Sequence, residues 1–224
     1  MPKAWPSPFN LESNTVNTET LMRLEALSAP SAIARQLTES EAAYHAFGEE
    51  LRRRPPTSIL TVARGSSDHA AHFMAYLIMA RLGRLVTSLP MSLVTLYQSS
   101  IEARGLLALA FSQSGQSPDL IGPMKYFYKS GALTAAFVND AASPLADAVG
   151  HVFPLHAGEE KSVAATKSFI AQLVAGAHVV AAWQEDAALE RAVMALPSAL
   201  EGALGLDWSV AVEALQDAER MFVI

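Results

Sequence analysis

Cysteine is absent from all 224 residues, which excludes disulfides, thiolate metal sites and every mechanism with a cysteine nucleophile, and suits a reducing compartment. Aromatic residues are scarce at 8%, and basic residues are outnumbered by acidic ones, 16 against 22, for a formal net charge of −6. Such a chain lacks the attraction that drives non-specific binding to nucleic acid or to anionic membranes, so neither partner is expected. Long apolar runs are missing too. The most apolar stretch, Ser168 to Trp183, contains Gln172 and His178 and falls short of the ~20 residues that cross a bilayer, so it reads as a core helix. The polar, proline-rich start from Met1 to Asn10 has no apolar segment of signal-peptide kind, and a cytoplasmic location is the expectation. What the sequence does have is hydrophobic content, 51%, enough for one globular domain with a generous core and appended helices.

From Thr20 to about Arg54 apolar residues recur at spacings of three and four, with a break at Ala29 and Pro30, which predicts two amphipathic helices. Then the period changes. Short apolar runs at Ser58–Ala63, Arg84–Leu89, Leu106–Phe111, Ala132–Val138 and His151–Leu155 alternate with helical patterns, the last a long helix from about Ser162. Strands alternating with helices require crossover connections and hence a parallel sheet covered on both faces. The expected fold is α/β, a doubly wound three-layer αβα domain with a five-stranded parallel sheet. Residues 186–219 read as further helices broken at Pro197 and Gly205. The end of the sequence, Met221, Phe222, Val223 and Ile224, resembles the start of a buried strand. It either joins the existing sheet or opens a second α/β unit, and the second reading is preferred.

In an open parallel sheet, ligands sit beyond the carboxyl ends of the strands. Three strand-end loops there are rich in hydroxyls: Arg64, Gly65, Ser66, Ser67 and Asp68 after the first strand, Ser112 through Asp119 after the third, and Gly158 through Lys167 after the fifth. Serine hydroxyls, turn amides and a helix N-terminus can hold a phosphate monoester without lysine or arginine. Gly65 and Gly115 would let the backbone approach the ligand, and Pro118 suits the opening of a helix. The expected ligand is a small phosphorylated molecule. Each loop taken singly has the composition that any turn or N-cap prefers, so the inference rests on their occurring together. Neither the dinucleotide nor the nucleoside-triphosphate glycine pattern is present.

The segment Ser112, Gln113, Ser114, Gly115, Gln116, Ser117, Pro118, Asp119, with Gly65, Ser66 and Ser67 before it and Val163 through Lys167 after it, resembles the SIS (sugar isomerase) domain family. In particular it resembles the isomerase half of glutamine:fructose-6-phosphate aminotransferase and its stand-alone relatives of glucosamine-6-phosphate deaminase type, and the spellings at Gln116–Asp119 and Ala164–Lys167 look more like the latter. The resemblance runs from about Thr20 to the end and implies a flavodoxin-like fold. It also implies a sugar phosphate gripped by Ser67 and by Ser112, Gln113, Ser114 and Ser117, with Gly65, Ser66 and Gly115 of the same loops among the binding residues and Val163 lining the sugar. Ala165 stands where the family has a serine, so one sugar contact is replaced by a methyl group. Lys167, Glu160 and Arg64 are carried as possible supporting residues, Arg64 either balancing the phosphate or pairing with Asp68. The simpler account of Glu159 and Glu160 is capping of the following helix, and that of Lys167 a surface side chain one to two turns inside it.

The resemblance implies an enzyme, a sugar-phosphate isomerase or deaminase acting on a hexose or hexosamine 6-phosphate such as glucosamine 6-phosphate or fructose 6-phosphate, working as a homodimer without a cofactor. With no thiol, and with Pro2 after Met1, glutamine is not its expected nitrogen source. Aldose–ketose interconversion needs a base between C1 and C2 and a proton relay at the ring oxygen. In relatives these come from a second SIS domain or a partner subunit, so no catalytic residue is assigned here. The implied layout is a helical segment over residues 1–54, the SIS domain over 55–185, a helical linker over 186–220, and the first strand of a second SIS domain at 221–224. The alternative is a non-catalytic phosphosugar sensor. His69 and His72 share a helix face but lack a further ligand cluster, so no metal site is expected, and His156 is given no role.

Overall fold

The computed structural model describes residues 20–221; the preferred strand at 221–224 lies, from residue 222 onward, outside them. Thr20 caps α1 (Leu21–Leu27) by accepting the Arg23 N–H, and α2 (Ala29–Arg53) starts with Pro30 in its first turn. There the missing proline N–H costs nothing, which is why the break falls at that position. Five short strands follow: β1 (Ser58–Val62), β2 (Val86–Ser88), β3 (Leu106–Ser112), β4 (Leu133–Val138) and β5 (His151–Pro154). They form one all-parallel sheet in the order β2-β1-β3-β4-β5. The crossovers carry α3 (Ser66–Leu82), α4 (Ser92–Thr95), α5 (Pro118–Lys129) and a single 3₁₀ turn at Ala146–Ala148, and β5 leads to α6 (Lys167–Gln184).

Side chains on β3 alternate between the two cores, as the period of a strand demands. Leu107, Leu109 and Phe111 join the layer built by α2, α3 and α6, while Leu106, Ala108 and Ala110 face α5. In the first layer Phe111, Phe137 and Phe153 occupy matched positions on β3, β4 and β5, with ring centroids 4.7 and 5.2 Å apart. This cross-strand ladder is capped by Tyr44 and Phe47 of α2. Where α2 meets α6, a Cβ on Gly48 would stand 2.7 Å from the Ala182 carbonyl carbon, so only glycine lets the helices approach this closely. Enclosed by α2, α3 and the sheet, α6 is apolar on almost every side, the reason for the long apolar stretch in the sequence.

Two expectations need correction. The long helix begins at Lys167 rather than near Ser162, because residues 158–166 form a loop whose bonds are made by side chains. Lys167 is therefore the first residue of α6, and it is buried rather than spread over the surface. Beyond it come α7 (Ala187–Met194), α8 (Leu196–Leu204) with Pro197 in its first turn and Gly205 at its end, and α9 (Ser209–Leu215), whose residues are all exposed.

Candidate functional site

Because β1 is flanked by β2 and β3, and α3 and α5 pack on opposite faces of the sheet, the carboxyl ends of β1 and β3 diverge into a crevice. A reversal of this kind is where open α/β sheets bind ligands. After β1, Gly65 takes φ +58° and ψ −138°, a conformation side chains resist, and turns the chain directly into α3. Ser66 and Ser67 then form the first helical turn, where N–H groups have no intrahelical acceptor. Ser67 Oγ accepts a bond of 3.1 Å from Gln172 Nε2 on α6, which fixes the oxygen and leaves its proton to donate. Gln172 is itself buried, with its Oε1 unpartnered.

After β3 the loop is locked from within. Ser112 Oγ accepts the Gly115 N–H at 3.0 Å, and Ser114 Oγ accepts the Gln116 N–H at 3.4 Å. Gly115 has φ +65°, and a Cβ there would lie 2.1 Å from Ser143 Oγ, so both backbone and space require glycine. Ser117 precedes Pro118 at the N-terminus of α5 without using its hydroxyl as a cap. Among the described residues, no protein group takes the Ser66 or Ser117 hydroxyl. Ser114 is exposed, Gln113 and Ser117 half-buried and Ser112 buried.

Asn139, at the end of β4, joins this loop to the one after β5. Its N–H donates to the Gln113 carbonyl (3.2 Å), its Nδ2 to the Gly158 carbonyl (2.8 Å), and its Oδ1 accepts the Ala157 N–H (2.9 Å). The N-terminal helices hold the same β5 loop from the other side. Arg35 donates to the His156 carbonyl at 2.6 and 3.0 Å, and Glu39 pairs with His156 Nδ1 at 2.9 Å. The Glu25 carboxylate of α1, only 8% exposed, accepts the N–H groups of Lys161 and Ser162 together with the Ser162 hydroxyl. The Ser162 hydroxyl, and after it the Lys161 amide, hold that carboxyl below the usual carboxylate range. Val163 follows, 96% exposed on the crest of the loop.

The charged residues singled out from the sequence are committed elsewhere. Glu160 accepts the N–H groups of Thr166 and Ser168 and the Ser168 hydroxyl, so it caps α6. Lys167 Nζ closes the loop by donating to the Glu159 carbonyl at 2.9 Å, while the Glu159 carboxylate pairs with Lys161 at 3.0 Å rather than capping. Arg64 pairs with Asp119 at the start of α5, not with Asp68, because the β3 loop brings Asp119 across the crevice. Asp68 lies instead beside His72, at 3.6 Å. A cleft of about 500 Å³ beside Arg64, Gly65 and α4 is lined by both Asp68 and Asp119. Two carboxylates there disfavour an anionic ligand. Ala165 adds only its half-buried methyl group. Asn139, Gln172 and Glu25 escaped the sequence reading; a lone buried-position polar residue such as Gln172 inside an apolar helix was the one available signal.

An open parallel sheet with serine-rich loops at the ends of two adjacent strands that lead to helices on opposite faces defines a doubly wound α/β class of proteins. Within that class the chain belongs to the SIS domain family, a family of phosphosugar-binding and isomerase domains, whose model matches residues 53–182. Glutamine–fructose-6-phosphate aminotransferase (isomerizing) of Thermus thermophilus is 32% identical over 137 residues, 61% of this chain and 22% of that protein. The corresponding Bradyrhizobium diazoefficiens protein is 34% identical over 116 residues, 52% of this chain and 19% of its own length. The chain thus spans about a fifth of these curated relatives. Among solved structures, a candidate phosphosugar isomerase from Silicibacter pomeroyi DSS-3 superposes with a TM-score of 0.84 at 41% identity, covering 88% of this chain and 61% of that one. The Vibrio vulnificus NanR protein complexed with ManNAc-6P shares the fold, with a TM-score of 0.58 at 18% identity, over 85% of this chain and 72% of its own.

Proposed function

We propose that this chain binds a hexose or hexosamine 6-phosphate and contributes that pocket to a phosphosugar isomerase or deaminase. One observation supports the reading above others: donors without a protein acceptor, from Ser66, Ser67, Gln113, Ser114 and Ser117, stand at neighbouring strand ends held in place by Gly65, Gly115, Asn139 and Gln172. Ser66, Ser67, Gln113, Ser114 and Ser117, with the N-termini of α3 and α5, take the phosphoryl oxygens; Ser112 shapes the loop, and Val163 lines the sugar. The dipoles of two helices stabilise the dianion, while the nearby Arg64, Lys161 and Lys167 are engaged with Asp119 and Glu159.

Isomerisation moves a proton between C1 and C2 of the open-chain sugar and calls for an uncommitted base. Glu25, Glu160 and Asp119 are each engaged in holding the loops. We assign the base to a second SIS domain or a second subunit, as the family resemblance implies. A sensor is the second reading, favoured by the fold shared with the ManNAc-6P complex of NanR.

Calorimetric titration with glucosamine 6-phosphate, fructose 6-phosphate and unphosphorylated glucosamine tests the site. Binding is expected for the phosphorylated sugars alone. Ser67→Ala and Ser114→Ala should each weaken it about tenfold or more, since a hydrogen bond to a charged group contributes about 1.5–3 kcal/mol. Unchanged affinity in both variants would remove the assignment. Ammonia or ketose production from glucosamine 6-phosphate by the whole protein distinguishes enzyme from sensor.

A further inference from the structure

Outside the phosphosugar loops, three helices bring together groups that the proposed reaction does not use. His45 lies on α2, His178 on α6 and Glu190 on α7, and each offers a ligand atom within 4.8 Å of the others. His178 is 0% exposed, and neither of its ring nitrogens has a hydrogen-bond partner. An imidazole carries one donor and one acceptor in its neutral form, so burying it with both unsatisfied is costly and calls for a reason. His45 Nε2 meets Glu190 Oε1 at 2.6 Å, and the two imidazole rings stand edge to face with centroids 5.8 Å apart. His45 and Glu190 are partly exposed, 45% and 31% by side chain, which gives an ion a path from solvent. Glu41, one turn before His45, adds negative charge felt at His178, as does Glu190.

We propose that His45, His178 and Glu190 form a site for a zinc-type divalent cation at the junction of α2, α6 and α7, separate from the phosphosugar site. Two imidazoles and a carboxylate with an open fourth position are a ligand set suited to Zn²⁺. At Zn–N and Zn–O lengths of about 2.0–2.2 Å, tetrahedral ligands sit about 3.3 Å apart. The His45–Glu190 pair must widen slightly and both must move towards the buried His178 nitrogen, adjustments available to two partly exposed side chains. A ligating imidazole must be neutral, and the burial of His178, with both ring nitrogens unpartnered, favours that form. His178 lies six residues beyond Gln172, about 9 Å along the helix, so the ion would staple α7 to the core rather than touch the sugar.

The test uses the full chain with ZnCl₂ and no sugar. One Zn²⁺ per chain is expected, with a thermal midpoint raised by about 5 °C or more at free Zn²⁺ a hundredfold above Kd. MgCl₂ should give no such rise, and Co²⁺ should develop the visible bands of a tetrahedral site. His45→Ala and Glu190→Gln, neither of which empties the core, should each weaken Zn²⁺ binding at least tenfold, whereas His72→Ala and His156→Ala should not. No midpoint shift with Zn²⁺, binding indifferent to His45 and Glu190, or a Co²⁺ spectrum of the hydrated ion would each overturn the proposal.

Discussion

At Gly115 two separate demands fall on one residue, and they can be measured apart. Its φ of +65° costs any side chain about 1–2 kcal/mol, and a Cβ there meets Ser143 Oγ at 2.1 Å and Ser143 Cβ at 2.5 Å. Gly115→Ala should therefore destabilise the protein by about 1–3 kcal/mol and loosen phosphosugar binding, because the Ser112–Gly115 hydrogen bond moves with the loop. Adding Ser143→Gly relieves the collision but not the backbone strain, so denaturant titration should show only partial recovery. Wild-type stability in the single variant would mean that the loop is not built as described. Gly115 and the serines around it were readable from the sequence, since the turn residues and hydroxyls of one loop are neighbours along the chain. Asn139 and Gln172 were not: each acts on a loop 18 to 105 residues away, and a lone amide carries no periodic signal.

Among the elements, α1 shows how a short amphipathic helix can serve a distant loop. Apolar spacing predicted the helix, but not that Glu25 would turn inward and bind Lys161 and Ser162. Its carboxyl titrates below the ordinary value of 4.5 in the folded chain. The stabilisation this gives is fully present above the unfolded value and disappears as pH falls through the lower folded one. Glu25→Gln keeps the shape and removes the charge. At neutral pH it should lower the thermal midpoint and free Val163, and the gap from wild type should narrow as the pH is taken down from about 4.5. A constant gap down to strongly acid solution would show that the carboxylate charge is not what holds the loop. The start of α6 was misplaced for a related reason. Ser162 to Thr166 have acceptable helical composition, but Glu25 and Glu160 capture their N–H groups before a helical turn can form there.

For the molecule as a whole, the sheet, its parallel sense and the strand sites followed from alternating periods, because a doubly wound domain repeats one local unit and each unit announces itself. The proposed phosphate site does not follow from charge, and here the net charge works against it. At −6 the chain repels a dianionic sugar phosphate at long range, and the arginine nearest the loops, Arg64, is paired with Asp119. If hydroxyls, amides and helix ends alone hold the phosphoryl group, added salt screens the repulsion without weakening a cation–phosphate pair. Between about 20 and 200 mM KCl the Kd for fructose 6-phosphate should stay level or tighten, and association should quicken, over a range in which the Debye length falls from about 20 to 7 Å. A lysine- or arginine-lined pocket behaves oppositely, losing affinity as salt rises. A several-fold loss over that range would place a cation on the phosphate, with Arg64 released from Asp119 as the first to examine, and Arg64→Gln would then abolish the salt dependence along with most of the binding.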